Sequence, residues 1–368
     1  MPAGNGSADM RILHTETLKK WGGQQNRVLA EARGLVREGH TVVIACHKGS
    51  ILAKKAADAG ITVYELNMVK RAHITNIPKL IRIMKEERIE VVATHSSVDS
   101  WAGGIAAKLS GRKLVRFRHN LYPIGKDPLT RLIYAMPDRI IAIGDMIGEA
   151  LGHYGIKKQK IAVIRSSVDI TGFEPGGEDL REETGIPKEA VVIGNTSTFT
   201  KVKGQEMLLT AFNEICARVP CYLLFAGRLN EESKKKYLPL VDRQYQDRVI
   251  FLGHRDDIPR VLRTLDVFVF PSLLEGLGTA LLEAMAMKRP VVASDIATFR
   301  NFIEQGRNGV LFSHDAAGDL AEKVVRLIRD EDMRKRLGEK ARETIIRKFS
   351  LEVMIRKTEA LYQSVLQA

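Results

Sequence analysis

The sequence predicts an α/β protein built from two halves, each a parallel sheet covered by helices, and three observations predict it. Short apolar runs alternate with amphipathic stretches along most of the chain, the pattern of parallel strands buried on both faces. The alternation pauses after Asp169, at Phe173-Glu-Pro-Gly-Gly177, where turn-forming residues replace periodicity. At 368 residues the chain is also too long for one ordinary core and suits two. The expected division is therefore 1–170, 171–346, and a helical end, 347–368, placed to fold back against the first half.

Residues 10–14 read as the first strand, followed by Trp21-Gly-Gly-Gln24 and an amphipathic helix through Leu29, Leu35 and Val36 that stops near Gly39. Further strands follow at 41–45, 61–66, 89–94, 113–118, 139–143 and 160–164, with helices at 50–59, 77–87, 100–109 and 128–136. In the second half the strands fall at 190–193, 222–226, 249–252, 267–270 and 290–293.

The composition, 45% hydrophobic and 27% charged, is that of a folded globular chain. No apolar run approaches the roughly 20 residues of a membrane-spanning helix, and residues 1–9 lack a basic stretch followed by an apolar core. A cytoplasmic protein is expected. Cys46, Cys216 and Cys221 form no metal-like pair and read as reduced thiols. The net charge of +13 is not spread evenly: residues 1–170 hold 27 Lys and Arg against 15 Asp and Glu, whereas 171–368 hold 30 against 29. Such asymmetry suits an anionic partner, with membrane phospholipid, an acidic acceptor and nucleic acid as candidates and a merely solvated surface as the plain alternative.

The most informative stretch runs from Phe270 through Pro-Ser-Leu-Leu-Glu275-Gly-Leu-Gly-Thr-Ala-Leu-Leu-Glu283-Ala-Met-Ala. It leaves an apolar strand, passes a loop holding Gly276 and Gly278, and opens a helix whose first amides have no helical partner. Such a helix start attracts anions, and glycines let a ligand approach the backbone. Glu283, set among Ala280, Leu281, Leu282, Ala284 and Met285, would be costly to bury without partners, and ligand hydroxyls would supply them. Glu275 lies in the loop and should meet another part of an extended ligand. The alternative is a helix-capping Glu283 and a solvated Glu275.

These residues resemble the donor-site signature of family 4 glycosyltransferases, retaining enzymes of the GT-B fold, in which two Rossmann-like domains with parallel sheets face each other across a cleft. The resemblance rests on the Glu275-x7-Glu283 spacing, the Glu-Gly-Leu-Gly loop and the Leu-Glu-Ala-Met-Ala helix, and the order of strands and the glycine turn after the first strand follow the same plan. It implies that Glu275 contacts the donor sugar, Glu283 the ribose, and the backbone of Gly276, Leu277, Gly278 and Thr279 the diphosphate. Lys203, in Thr198-Phe-Thr-Lys-Val-Lys203-Gly204, would neutralise the leaving group. The family usually carries an Arg five positions before this Lys; here that position is Thr198, and Arg228, after the next strand, is the candidate replacement. Asn301 stands where relatives often have Glu.

In the first half, Gly22 and Gly23 resemble the family's glycine turn, although any tight turn could use them. His119 matches a histidine near the reacting sugar and His95 a position lining the acceptor cleft; both follow predicted strands, whose carboxyl ends are where ligands bind in such sheets. Arg116 and Arg118 are expected to face opposite sides, leaving Arg118 as the acceptor-side candidate. The expected reaction moves a sugar from a nucleotide sugar, a UDP-sugar first, to a hydroxyl by front-side attack, with Glu275, His119 and Lys203 as the catalytic group and neither cofactor nor metal. The Trp21-Gly-Gly-Gln-Gln25 start and the Val115-Arg-Phe-Arg-His119 strand look most like lipopolysaccharide-core and surface-polysaccharide enzymes, implying a glycan or glycolipid acceptor and a basic half docked on the inner membrane face. Alternatives are a soluble small-acceptor transferase, a sugar-nucleotide epimerase, a catalytically silent scaffold, or a nucleic-acid-binding protein. The last is not expected, since aromatics make up only 6% and recognition motifs are missing.

Overall fold

The computed structural model describes residues 9–69 and 73–368. The first eight residues, part of the stretch read above as lacking a leader, lie outside them. The described chain divides into two compact units, residues up to Ser167 together with Leu351–Ala368, and Val168–Ser350. The sequence-based boundary at 170/171 thus falls three residues late, and the returning segment begins at Leu351 rather than 347.

Unit 1 is built on seven strands: β1 (Arg11–Glu16), β2 (Thr41–His47), β3 (Thr62–Leu66), β4 (Val91–Thr94), β5 (Lys113–Arg118), β6 (Arg139–Ala142) and β7 (Ile161–Val163). They lie in the order β3-β2-β1-β4-β5-β6-β7 and every pairing is parallel. Alternate residues feed two cores. Ile12, Ile44, Val91, Ala93, Val115 and Phe117 pack against the helices Gly23–Arg37 and Leu351–Gln367, whereas Leu13, Val43, Val92 and Leu114 pack against His73–Glu86 and Ser97–Leu109. Period-2 alternation explains this split. The helix Leu351–Gln367 belongs to unit 1 because Leu351, Met354, Ile355, Tyr362 and Val365 complete the first of these cores.

Unit 2 carries β8 (Val192–Asn195), β9 (Tyr222–Ala226), β10 (Val249–Gly253), β11 (Val267–Phe270), β12 (Val291–Ser294) and β13 (Val310–Phe312), in the parallel order β10-β9-β8-β11-β12-β13. Cores lie on both faces of this sheet as well. Helices Ala317–Arg329 and Glu331–Phe349 follow β13.

The helix Asp145–His153, between β6 and β7, is not among the helices expected from sequence: Gly144, Gly148 and Gly152 punctuate it, but Ile147 and Leu151 still bury one face. Strand β13, three residues long, is not among the expected strands either. The three cysteines are free and buried, with the sulfurs of Cys216 and Cys221 3.9 Å apart. Among the described residues no helix is long and apolar enough to cross a membrane.

The docking of the returning helix is tight at Gly34, where a β-carbon would stand 2.4 Å from Ile355 Cδ1. Gly34→Val should therefore lower stability by about 1–3 kcal/mol, the usual range for overpacking a close-packed core, and Ile355→Ala in the same chain should recover part of that loss. Urea midpoints of the single and double variants measure both effects.

Candidate active site

Both sheets change winding direction once, between β1 and β4 and between β8 and β11. Crossovers leave such a point in opposite directions, so the carboxyl ends of those strands stay open, and that is where open α/β sheets hold ligands. The residues picked out by sequence gather at these two places.

In unit 2, β11 runs into the loop 271–278 and then the helix Thr279–Ala286. Gly278 caps that helix in the left-handed region, at φ 83°, and gives it no side-chain cap. A β-carbon at Gly278 would lie 2.8 Å from Phe299, so backbone and packing both require glycine here. Beyond β8, Asn195 reaches the carbonyl of Val269 at 2.8 Å, and Gln205 donates to Ser197 Oγ and to the Thr198 carbonyl, both at 3.0 Å. Gly204, at φ 68°, lets the chain pass against Pro271, whose carbonyl oxygen would lie 2.0 Å from a β-carbon. These contacts deliver Lys203 to the β11 loop, where its ammonium meets Glu275 Oε1 at 2.5 Å and lies 5.6 Å from the Phe270 ring centre. Thr298 Oγ1 donates to the Glu275 carbonyl at 2.7 Å, so the loop is held from both sides.

Glu283 is partly buried, and among the described residues its carboxylate has no hydrogen-bond partner. Burial alone pushes its pKa up to about 7. Arg228 lies just beyond β9; its carbonyl accepts from the Phe199 amide at 3.4 Å, which sets it beside Thr198. Asn195, Ser197 and Gln205 position this half of the site and are not among the residues the sequence picks out; a polar residue ending an apolar strand is the available signal.

In unit 1, Gly22 and Gly23 open the helix Gly23–Arg37. Gly22 is fully extended, and a β-carbon at Gly23 would meet nothing within 4 Å, so neither glycine is demanded by the turn itself. Glu16 instead organises the approach to it: its carboxylate accepts from the amides of Thr17 and Leu18 at 2.7 and 3.0 Å and from Gln24 Nε2 at 2.6 Å. Burial, followed by the nearby Asp99 charge, raises the Glu16 pKa to about 7.

Three adjacent strands carry a histidine on the same sheet face: His14 within β1, two residues after Ile12, and His95 and His119 immediately after β4 and β5, two residues after Ala93 and Phe117. His14 Nδ1 lies 2.9 Å from His95 Nε2, and His95 Nδ1 lies 3.0 Å from His119 Nε2. The ring of His95 stacks on Phe117, with centroids 4.4 Å apart. Burial, aided by Arg27, pushes His14 and His119 down to about 3 and His95 well below its usual value, so all three are neutral at physiological pH. His95, expected on the acceptor side, is buried with both ring nitrogens engaged by its neighbours, and it lines the same unit 1 cavity as His119. His119 borders a cavity of about 420 Å³ within unit 1, lined also by Gln24, Trp101, Arg118 and Tyr134. The expectation that Arg116 and Arg118 face opposite sides is corrected: two residues apart on β5 they leave the same face, and they part only in their contacts, Arg116 being buried 4.0 Å from the Tyr134 ring centre while Arg118 donates to the Tyr122 carbonyl beyond the strand end. Among the described residues no three His, Cys, Asp or Glu side chains are arranged to hold a metal ion.

Two doubly wound parallel-sheet units, with an uncapped helix start beside a lysine in the second, have the arrangement of the GT-B fold. Similarity to known proteins agrees with this class: the description of glycosyl transferases group 1 matches residues 177–344, and that of glycosyltransferase family 4 matches residues 21–171. The chain belongs to the group 1, family 4 glycosyltransferases. It is 27% identical over 302 residues to N-acetyl-alpha-D-glucosaminyl L-malate synthase of Bacillus anthracis, covering 78% of each chain. It is also 27% identical to the lipopolysaccharide core biosynthesis glycosyltransferase LpsE of Rhizobium meliloti, over 78% of this chain and 82% of that one. Anabaena HepE, solved in complex with UDP, shares the fold with a TM-score of 0.84 at 20% identity, over 96% of this chain and all of that one.

The unpartnered Glu283 carboxylate carries a stability consequence. A carboxyl whose folded pKa is raised above its unfolded value of 4.5 favours the folded state fully below 4.5, and that contribution is lost as pH rises through about 7. Glu283→Gln should thus be more stable than the parent at pH 8, by about 1 kcal/mol after allowance for its partial exposure, with the difference shrinking toward pH 5. Urea unfolding at the two pH values measures it.

Proposed function

We propose that this glycosyltransferase moves a sugar from a nucleoside-diphosphate sugar, a UDP-sugar first, to a hydroxyl of a cell-envelope glycan or glycolipid, with retention of anomeric configuration and without a metal ion. The observation that carries the reading is the β11 loop with its uncapped helix start, the Lys203–Glu275 pair and the unpartnered Glu283 at one strand end. Ribose hydroxyls donating to Glu283 would supply the partners it lacks, and by favouring the ionised form would draw its pKa down. The amides of the loop and helix start, with Lys203, stabilise the charge that grows on the diphosphate as the glycosidic bond breaks. Glu275 is left to grip the sugar hydroxyls. Arg228, beside Thr198, adds the second cation that the family's Arg would bring, and these cations cover the charge a metal would balance. Attack comes from the leaving-group face, with the acceptor proton passing to the departing phosphate.

The envelope acceptor is supported by the likeness to LpsE and by the charge of unit 1. Lys126, Arg131, Lys157 and Lys160 surround a cavity of about 660 Å³, and Leu129 and Leu132 on the neighbouring helix are exposed. Each cation at an anionic membrane surface contributes about 1 kcal/mol. The Bacillus anthracis relative, whose name places L-malate in the product it makes, favours a second reading in which those cations hold a small anionic acceptor.

Thermal shift against UDP, GDP, ADP, CMP and their sugar conjugates, with and without EDTA, tests the donor site. A nucleotide-selective, EDTA-insensitive rise is expected, lost in Glu283→Ala. Glu275→Ala should keep the UDP shift, lose the extra shift given by the sugar, and slow transfer about a hundredfold; equal loss of UDP binding in both variants would sink this division of roles. Cosedimentation with vesicles containing anionic lipid, abolished by salt, supports the envelope reading, and its absence together with transfer to malate supports the other.

A further inference from the structure

The row of histidines in unit 1 does not stop at β1. His14 Nε2 faces Glu31 Oε1 at 3.9 Å, and Glu31 is wholly buried on the helix Gly23–Arg37. Its carboxylate lies 3.3 Å from Arg27 Nη2 and accepts from the Tyr362 hydroxyl at 2.9 Å. At the other end, His119 Nδ1 is buried, and among the described residues it has no hydrogen-bond partner. A carboxylate, three imidazoles and an unused, buried nitrogen thus stand in line, the last of them in a ring that borders the cavity.

We propose that Glu31, His14 and His95 fix the tautomer of His119, so that its Nδ1 meets a ligand in the unit 1 cavity as a hydrogen-bond acceptor for a sugar hydroxyl. The proposal rests on the glycosyl-transfer reading for the nature of the ligand, but the tautomer itself does not.

Counting protons narrows the possibilities. Each neutral imidazole has one N–H and one lone pair, so two contacts linking three rings allow only two orderings. In one, every N–H points toward Glu31: His119 Nε2–H donates to His95, His95 Nε2–H donates to His14, and His14 Nε2–H faces the carboxylate. In the other, every N–H points toward the cavity and His14 presents its Nε2 lone pair to Glu31. The 3.9 Å separation is too long for a hydrogen bond, yet at that distance in a dry interior a carboxylate strongly prefers an N–H to a lone pair. The choice therefore depends on Glu31 being ionised. Burial raises its pKa, but the guanidinium of Arg27 and the Tyr362 hydroxyl favour the anion, and protonating Glu31 would leave Arg27 a buried cation without its counter-ion. Arg27 also donates to the Ile164 carbonyl at 2.9 Å and lies 5.4 Å from the Phe117 ring centre, so it cannot leave for water without breaking the core. Arg118, the other cation acting on His119, disfavours an imidazolium there.

Glu31, His14 and His95 are positioning residues: they act on the ligand through His119. Sugar hydroxyls both donate and accept, and the lone pair at His119 selects hydroxyls oriented to donate. A replacement that mimics the ring's shape but carries an N–H at that point should bind the same ligand poorly.

The test is direct. Long-range ¹H–¹⁵N correlation on histidine-labelled protein reports which nitrogen carries the proton, and His119→Asn, His95→Asn and His14→Asn identify the three rings among the nine histidines. All three should be neutral with the proton on Nε2 from pH 6 to 8. In Glu31→Gln the order should reverse, placing the proton on His119 Nδ1; transfer should fall about tenfold or more, the loss of one charged-group-driven hydrogen bond, while the UDP thermal shift stays unchanged. Tyr362→Phe, which keeps the ion pair, covers the case in which Glu31→Gln fails to fold, and should weaken the bias with a smaller loss of transfer. A proton on His119 Nδ1 in the parent, an imidazolium in that range, or transfer unchanged once the order has reversed would overturn the proposal. Failure of every nucleotide to bind would sink the glycosyl-transfer reading while leaving the tautomer result standing.

Discussion

A parallel sheet must reverse its winding somewhere if both of its faces are to be covered, and each unit of this protein does so at one strand pair. The reversal, between β1 and β4 and between β8 and β11, leaves strand ends and helix starts that no crossover can cover. The residues that carry the chemistry sit at these gaps. Lys203, Glu275 and Glu283 follow β8 and β11; Glu16, the Gly22–Gly23 turn and the histidine row lie at the ends of β1, β4 and β5.

The two gaps are furnished differently. In unit 2 the gap is made of backbone, of the Lys203–Glu275 pair and of the Glu283 carboxylate that awaits a partner, with Gly204 and Gly278 allowing close approach of chain to chain. In unit 1 the gap is walled by buried titratable groups linked ring to ring; among the described residues His14 Nε2, 3.9 Å from Glu31, and His119 Nδ1 make no hydrogen bond, and His119 Nδ1 has no counter-charge facing it. A backbone-lined site suits a charged ligand that needs many donors, whereas a pre-ordered ring suits the selection of one hydroxyl.

Much of this is legible in the amino-acid sequence. Strands β5, β9 and β11 fall at the expected residues, and the loop from Glu275 to Glu283 announces itself by spacing, because helix starts and glycines have fixed backbone requirements. What stays hidden depends on neighbours far along the chain. His14 ends a predicted strand without drawing notice, since its meaning comes from His95, 81 residues away, and through it from His119. The parity of Ile12-x-His14, Ala93-x-His95 and Phe117-x-His119 is nevertheless a visible clue that all three share a face. Glu16 and Glu31 are invisible because nothing local distinguishes a buried carboxylate from a solvated one. The helix Asp145–His153 is obscured by its glycines, and the links from His95 to His14 and His119 show only once the strands are paired.

The helix Leu351–Gln367 has a consequence for the order in which the chain can mature. It supplies Leu351, Met354, Ile355, Tyr362 and Val365 to the first-formed unit, although Val168–Ser350 is synthesised in between. At typical translation rates of about 5–20 residues per second, unit 1 spends on the order of ten seconds or more without one wall of its core and without the hydroxyl that holds Glu31. The later unit has all its parts first. A nascent chain therefore exposes the apolar face of Gly23–Arg37 throughout that interval, and this is the surface on which a chaperone would act and against which premature termination would be least forgiving.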